Sequence, residues 1–248
     1  MRNAVKRLIG LAALAVLPLA AQAETARIAV ATNFAPTAEQ LAAAYSAASG
    51  DTVEITGGAT GKLYAQIKAG APFEAFLSAD SATAEKLATE GFALPESRFT
   101  YATGQLALWS ADAATDLSDP AAALKAARHV AIANPDLAPY GKAAVETLTA
   151  LGLPADLDGH LVMGENVGQT QTMVASGAAD LGFVAASALV GKTEGVAWAV
   201  PGDMHTPLTQ DAILLTSGKD NTAAQGFLAY LAQPEAKVAI AAAGYGTE

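Results

Sequence analysis

The sequence predicts an α/β protein of two lobes, each a mainly parallel sheet flanked by helices, with a cleft between them. Three observations predict this. Short β-prone runs alternate with alanine-rich helical stretches along most of the chain. Four strand-to-helix turns carry small, hydroxyl or amide residues, two in each half. Two extended runs, near 102–107 and 208–214, cross from one half to the other and back. The expected division is 24–103 for the first lobe, 104–211 for the second, and 212–248 for a return to the first.

In the first lobe, Arg27 to Ala31 alternates and reads as a strand. Thr32 and Asn33 follow as N-cap types, and Pro36 suits a first helical turn. The helix carries Leu41, Tyr45 and Ala48 on one face, and Gly50 ends it. A second strand, Thr52 to Thr56, enters the turn Gly57-Gly58-Ala59-Thr60-Gly61-Lys62, and a helix runs on to Ala69. Glu74 to Ser78 is a buried strand. Asp80 or Ser81 caps a helix that Gly91 stops.

Phe99 to Trp109 is a long apolar run that crosses into the second lobe. There, Asp119-Pro120 opens a helix to about Ala127, and Val130 to Ala133 is a strand. After the turn Asn134 to Gly141 a helix reaches Leu151. Leu161 to Met163 is a strand, and Glu165-Asn166-Val167 starts a helix to about Ser176. Leu181–Ala185 and Val196–Val200 are strands. Leu208 to Thr216 returns, and two helices broken at Pro234 pack on the first lobe.

Bulk properties narrow the function. Arg2, Lys6 and Arg7, the apolar run Leu8 to Ala20 and Ala21-Gln22-Ala23 form a secretory signal with cleavage after Ala23. The mature chain is then about 225 residues and is exported. Loss of the three basic residues makes the net charge of −10 still more negative, which argues against nucleic acid. There is no cysteine, hence no thiol nucleophile and no thiolate ligand. His129, His160 and His205 have no metal-ligand spacing, so no protein-ligated metal and no cofactor are expected.

The four turns are Thr32-Asn33, Thr60-Gly61, Pro139-Tyr140-Gly141 and Asn166-Val167-Gly168. Taken alone, a Gly-rich turn needs no ligand. The second turn is not a nucleotide loop either. Five residues before Gly61 stands Thr56, and Leu63 follows Lys62, so the spacing and the magnesium-binding hydroxyl are both missing. Four such turns together aim first-turn N–H groups off the carboxyl ends of two sheets, where open α/β sheets bind ligands. The donors are neutral, which selects a fully deprotonated oxyanion. Asp136 and Glu165 read as loop or capping groups, and Lys62 as a solvated lysine. Tyr140, between Pro and Gly at a helix start, reads as a site residue.

These residues resemble the periplasmic molybdate-binding proteins of bacterial ABC importers over essentially the whole mature chain. The likeness rests on Ala31-Thr32-Asn33-Phe34, on Gly58 to Ile67 with Gly70-Ala71-Pro72 and Phe76 to Asp80, and on Asn134-Pro135 to Gly141 and Glu165-Asn166-Val167. It implies the two-lobed periplasmic binding protein fold (class II). It implies molybdate or tungstate as ligand, held by Thr32, Asn33, Thr60, Tyr140 and Val167, a membrane permease as partner, and a monomer. Some members have serine at the positions of Asn33 and Thr60, and some a tyrosine at that of Ala185. Here Tyr140 takes over the hydroxyl that Ala185 lacks. Glu74 stands where aspartate is common. Sulfate or chromate stays open as the ligand, because the sequence does not set the pocket size. An exported phosphate- or sulfate-ester enzyme is the remaining alternative, without a triad, metal cluster or carboxylate pair at the turns.

Overall fold

The computed structural model describes residues 23–247; the expected export signal, apart from Ala23, lies outside the described residues. The first sheet takes its order from two strand–helix units. β1 (Thr25–Ala31) leads into α1 (Ala35–Ser49), and β2 (Thr52–Gly58) into α2 (Thr60–Lys68). β3 (Ala75–Leu77) precedes α3 (Ser81–Thr89), and β4 (Phe99–Gly104) ends the segment. The second sheet is built likewise. β5 (Leu106–Ser110) and α4 (Pro120–Ala126) come first, then β6 (Val130–Ala133) with α5 (Pro139–Ala150). β7 (Leu161–Gly164) leads into α6 (Val167–Ala175), and β8 (Leu181–Ala185) and β9 (Val196–Ala199) follow. β10 (Leu208–Leu214), α7 (Thr222–Leu231) and α8 (Pro234–Ala242) complete the chain.

The strand orders are β2-β1-β3-β10-β4 and β7-β6-β8-β5-β9. Both sheets are mixed rather than mainly parallel. β1, β2 and β3 pair in parallel, as do β6, β7 and β8. β10 runs antiparallel to β3 and β4, and β5 antiparallel to β8 and β9. The parallel parts are where helices cross over. The antiparallel parts are where the chain changes lobe.

The first crossing falls at Gln105, between β4 and β5. The second lies at 200–207, not at the expected 208–214. Leu208 already pairs with Gly104, so the return begins at Leu208 rather than at 212. The β-prone character of Leu208–Leu214 made it legible as a strand, but only its pairing partner says which sheet it joins.

Each sheet is buried on both faces, which suits near-continuous apolar strands. Ile28 and Val30 of β1 pack with Phe34, Leu41, Phe227 and Ile240 on one side. Ala29 and Phe76 pack with Leu63, Ile67 and Leu87 on the other. The C-terminal helices thus join the first lobe, as expected. Gly50 ends α1 at φ 83°, a left-handed position that glycine takes without strain. Of two capping expectations, one fails and one holds. Thr32 and Asn33 do not cap α1, whose N-cap is Phe34 with no side-chain bond. Asp80, by contrast, caps α3 by accepting from the Thr83 N–H.

Candidate functional site

Register brings the turns together in pairs. β1 and β2 end level, Ala31 opposite Gly58, and β6 and β7 end level, Ala133 opposite Gly164. Each lobe therefore presents two adjacent turns from the same edge.

In the first turn the Thr32 N–H donates to the Gly58 carbonyl at 3.0 Å, and the Phe34 N–H to the Ala31 carbonyl at 2.9 Å. Among the described residues no backbone carbonyl takes the Asn33 N–H between them. Thr60 opens α2 and is buried; its Oγ1 accepts from the Ala79 N–H at 3.3 Å. Its own hydroxyl proton remains to donate. In the second lobe, Pro139 starts α5 and brings Tyr140 into the first turn. Asn166 caps α6 by accepting from the Gln169 N–H at 2.9 Å. That leaves the Val167 N–H among the first-turn donors without an intrahelical partner.

All five expected residues, Thr32, Asn33, Thr60, Tyr140 and Val167, line one small cavity between the lobes. Gly58, Ala59 and Asn166 fill in between them. No charged side chain is among its lining residues. Two buried side-chain oxygens there, Thr32 Oγ1 and Tyr140 Oη, have no hydrogen-bond partner. A buried hydroxyl without a partner costs roughly 1–3 kcal/mol, so two in one small cavity mark it as built for an acceptor.

The Asn33 side chain is engaged within the protein. Its amide faces away from the donor set, toward Gln210 Oε1 at 2.8 Å and the Tyr245 hydroxyl at 3.4 Å. Only its backbone N–H is left for a ligand. The N–H beside Gly61 is also engaged, donating across the cleft to the Leu137 carbonyl at 2.8 Å. Lys62 reaches Glu165 on the other lobe at 2.8 Å, with both side chains about half exposed. Lys62 is thus solvated, as expected, but Glu165 is its cross-cleft partner rather than a cap. Asp136 lies in its loop, its N–H held by Asn134 Oδ1. Ala185 ends β8 next to a neighbouring cavity. Glu74 is a structural anchor paired with Arg27 at 3.0 Å.

The lobes therefore meet through Gly61–Leu137, Lys62–Glu165 and the contact of Gly168 with Thr32. A half-exposed ion pair adds little and is screened by salt. Lys62→Ala is expected to weaken ligand binding by less than about fivefold in dilute buffer. That difference should vanish at about 1 M salt, which titrations at both ionic strengths would measure.

Tyr140 is held neutral. Burial raises its hydroxyl pKa well above the usual tyrosine value, and the neighbouring Tyr245 adds to this; only the Gln210 amide beside it works the other way. Tyr101 and Tyr245 are raised as well, each first of all by burial. Tyr140 thus stays a donor through neutral and alkaline pH. The sign for stability follows. A folded-state pKa above the unfolded value means the native state holds its proton more tightly. The stability these tyrosines contribute is complete below about pH 10 and is lost as pH rises beyond it. Melting temperature should be flat from neutral pH to about 9.5 and then fall, with the tyrosinate absorbance of Tyr101, Tyr140 and Tyr245 appearing only on unfolding.

Sequence reasoning missed Gln210 and Gly104, and it named Gly168 only as part of the fourth turn. Gln210 had a weak signal, the polar triplet Thr209-Gln210-Asp211 within a stretch, Leu208 to Leu215, that reads as a strand. The role of the two glycines had none, because it is to leave room for groups distant in the chain.

Among the described residues no cluster of three or more His, Asp or Glu side chains could hold a metal ion. Two α/β lobes, joined by two crossings and closing helix N-termini over an uncharged cavity of donors, define a cleft-type solute-binding protein. The chain belongs to the bacterial extracellular solute-binding protein family, which matches residues 26–246. It is 46% identical to the molybdate-binding protein ModA of Azotobacter vinelandii over 100% of both chains. It is 45% identical to ModA of Rhodobacter capsulatus, covering 94% of this chain and 92% of that one. The solved periplasmic molybdate-binding protein of Azotobacter vinelandii superposes with a TM-score of 0.85 at 41% identity, over 90% of this chain and 99% of that one. The family inferred from the four turns and the family matched by the whole chain agree.

Proposed function

We propose that this chain is a periplasmic binding protein that captures molybdate, or its close analogue tungstate, and delivers it to the permease of an ABC importer. The carrying observation is the pair of buried, unpartnered hydroxyls, Thr32 and Tyr140, in a cavity without charged walls. A tetrahedral dianion that only accepts hydrogen bonds matches such a set. A protonated oxyanion would bring a donor of its own, and the cavity lining holds no carboxylate to receive it. Full-length relatives at 45% and 46% identity carry the name molybdate-binding protein, which supports this ligand over sulfate or chromate.

The anion would take hydroxyls from Thr32, Thr60 and Tyr140, and N–H groups from the Asn33 and Val167 turns. Two lobes supply these donors, so binding and closure are one event. The crossings at Gln105 and 200–207 serve as hinges. Residues 1–23 direct export, and the protein acts as a monomer with its cleft rims toward the permease. No cofactor takes part.

Calorimetric titration of the mature protein tests the reading. Molybdate and tungstate should bind tightly and sulfate much more weakly. Absence of heat with molybdate, alongside binding of sulfate or chromate, would overturn the ligand assignment. X-ray scattering should show a smaller radius of gyration with ligand than without.

A further inference from the structure

We infer that Gln210 is a positioning residue for the anion site: its amide donates to the Tyr140 hydroxyl oxygen, so that the proton of this hydroxyl is directed to the ligand. The inference rests on the oxyanion reading above and adds a residue to it.

Gln210 lies on β10, at the point where the chain has just returned from the second lobe, and it is fully buried. Its surroundings fix which end of the amide points where. Tyr245 has one proton, and its hydroxyl lies 2.6 Å from the Asn33 carbonyl, which can only accept. Its oxygen must then receive donors, and it does so from Ser187 Oγ at 2.9 Å and Asn33 Nδ2 at 3.4 Å. That orients the Asn33 amide with its nitrogen inward. The same nitrogen donates to Gln210 Oε1 at 2.8 Å; the Tyr101 hydroxyl lies 3.0 Å from that oxygen and shares its one proton between it and the Ser78 carbonyl at 3.3 Å. With Oε1 held by the Asn33 amide, Gln210 cannot flip without facing N–H against N–H.

Nε2 is therefore left pointing away from Asn33, and it has no partner. What it faces is Tyr140. A Cβ placed on Gly104 would lie 2.7 Å from Gln210 Nε2 and would collide with the Tyr140 hydroxyl. The two atoms thus flank one glycine, each buried and each unsatisfied. A small rotation of the phenol C–O bond's hydrogen, and of the ring within its slot, lets Nε2 donate to the tyrosine oxygen. The tyrosine proton is then directed out of the network. The order of donors becomes Ser187 to Tyr245, Tyr245 to the Asn33 carbonyl, Asn33 Nδ2 to Gln210, Gln210 to Tyr140, and Tyr140 to the anion. Each polarised bond in such a chain strengthens the next.

The consequence is chemical selectivity. A lone tyrosine hydroxyl can rotate to accept from a protonated oxyanion such as hydrogen phosphate. With Gln210 donating to its oxygen and its proton directed outward, Tyr140 is a poorer acceptor for that ligand. Gln210 also belongs to the first sheet and Tyr140 to the second lobe, so the arrangement forms only when the lobes are together.

The test is a cycle of four proteins, wild type, Gln210→Met, Tyr140→Phe and the double variant, titrated with molybdate and with phosphate. Methionine keeps the volume and removes both hydrogen-bonding ends. Gln210→Met should weaken molybdate binding by about tenfold when Tyr140 is intact and by less than about twofold when Tyr140→Phe is already present. It should also narrow the molybdate-to-phosphate ratio. Equal losses in both backgrounds, or an unchanged ratio, would overturn the inference. If wild type binds no oxyanion, the function itself fails, which is a separate result. Should Gln210→Met not fold, Gln210→Glu decides. The neutral acid keeps an O–H donor toward Tyr140 and the carboxylate does not. Burial raises such an acid toward neutral pH, while Tyr101, Tyr140 and Tyr245 around it stay protonated and Asp211 next to it is held by Arg98 at 2.7 Å. Molybdate affinity of Gln210→Glu should then rise from about pH 8 to about pH 6, with wild type flat. A flat profile for both would overturn the inference.

Discussion

Gly168→Ala weakens molybdate binding by about 10- to 100-fold and leaves the ligand-free fold as stable as before. The glycine is the second residue of α6, in ordinary helical conformation, so alanine suits the backbone and is the better helix former by about 1 kcal/mol. Within its own lobe the added methyl meets only the Asn166 side chain, at 3.3 Å. Across the cleft it would lie 2.5 Å from Thr32 Cγ2. That methyl cannot yield. Threonine is stiff at χ1, and the Thr32 N–H is tied to the Gly58 carbonyl. The contact can be relieved only by holding the lobes apart, and overpacking of this kind costs roughly 1–3 kcal/mol. Calorimetry gives the affinity, and thermal melts without ligand give the stability. Unchanged affinity would mean that Thr32 and Gly168 do not meet in the bound form. Gly61→Ala acts the same way but less strongly, since its methyl would sit 3.2 Å from the Leu137 backbone.

Tyr140→Phe separates binding from stability more sharply. The hydroxyl is buried and, apart from the Gln210 amide that meets it when the lobes are together, has no partner within the protein. The ligand-free protein has its lobes apart, so removing the hydroxyl should leave its melting temperature unchanged or raised. A hydrogen bond to a charged acceptor contributes about 1.5–3 kcal/mol, so molybdate affinity should fall by about 10- to 100-fold. Opposite signs in the two measurements are the expected result. A loss of stability together with unchanged affinity would show that the hydroxyl serves the fold and not the ligand.

Most of the fold was legible because its elements carry local signals. Gly50, Pro120, Pro139, Asn166 and Pro234 mark helix ends by their own backbone chemistry, and α1, α4, α5, α6 and α8 begin or stop within a few residues of them. The apolar run from Phe99 to Trp109 announced a crossing, because a strand that changes sheets is buried at both ends. What failed was partner choice. The antiparallel halves of the sheets, the position of the second crossing and the lobe of Leu208–Leu214 all depend on pairing between distant strands, which local pattern does not encode.

The site divides in the same way. The sequence by itself determined which turns could hold an oxyanion, because Thr32, Thr60, Tyr140 and Val167 sit where a strand meets a helix and leave N–H or O–H groups to spare. It also placed the chain among molybdate-binding relatives. Only the tertiary structure decided which donors remain free. Asn33 turns its amide to Gln210, Gly61 gives its N–H to Leu137, and Lys62 goes to Glu165. The reason is physical: a donor's availability depends on whatever else lies within about 3 Å. For each of these groups that neighbour comes from a distant part of the chain.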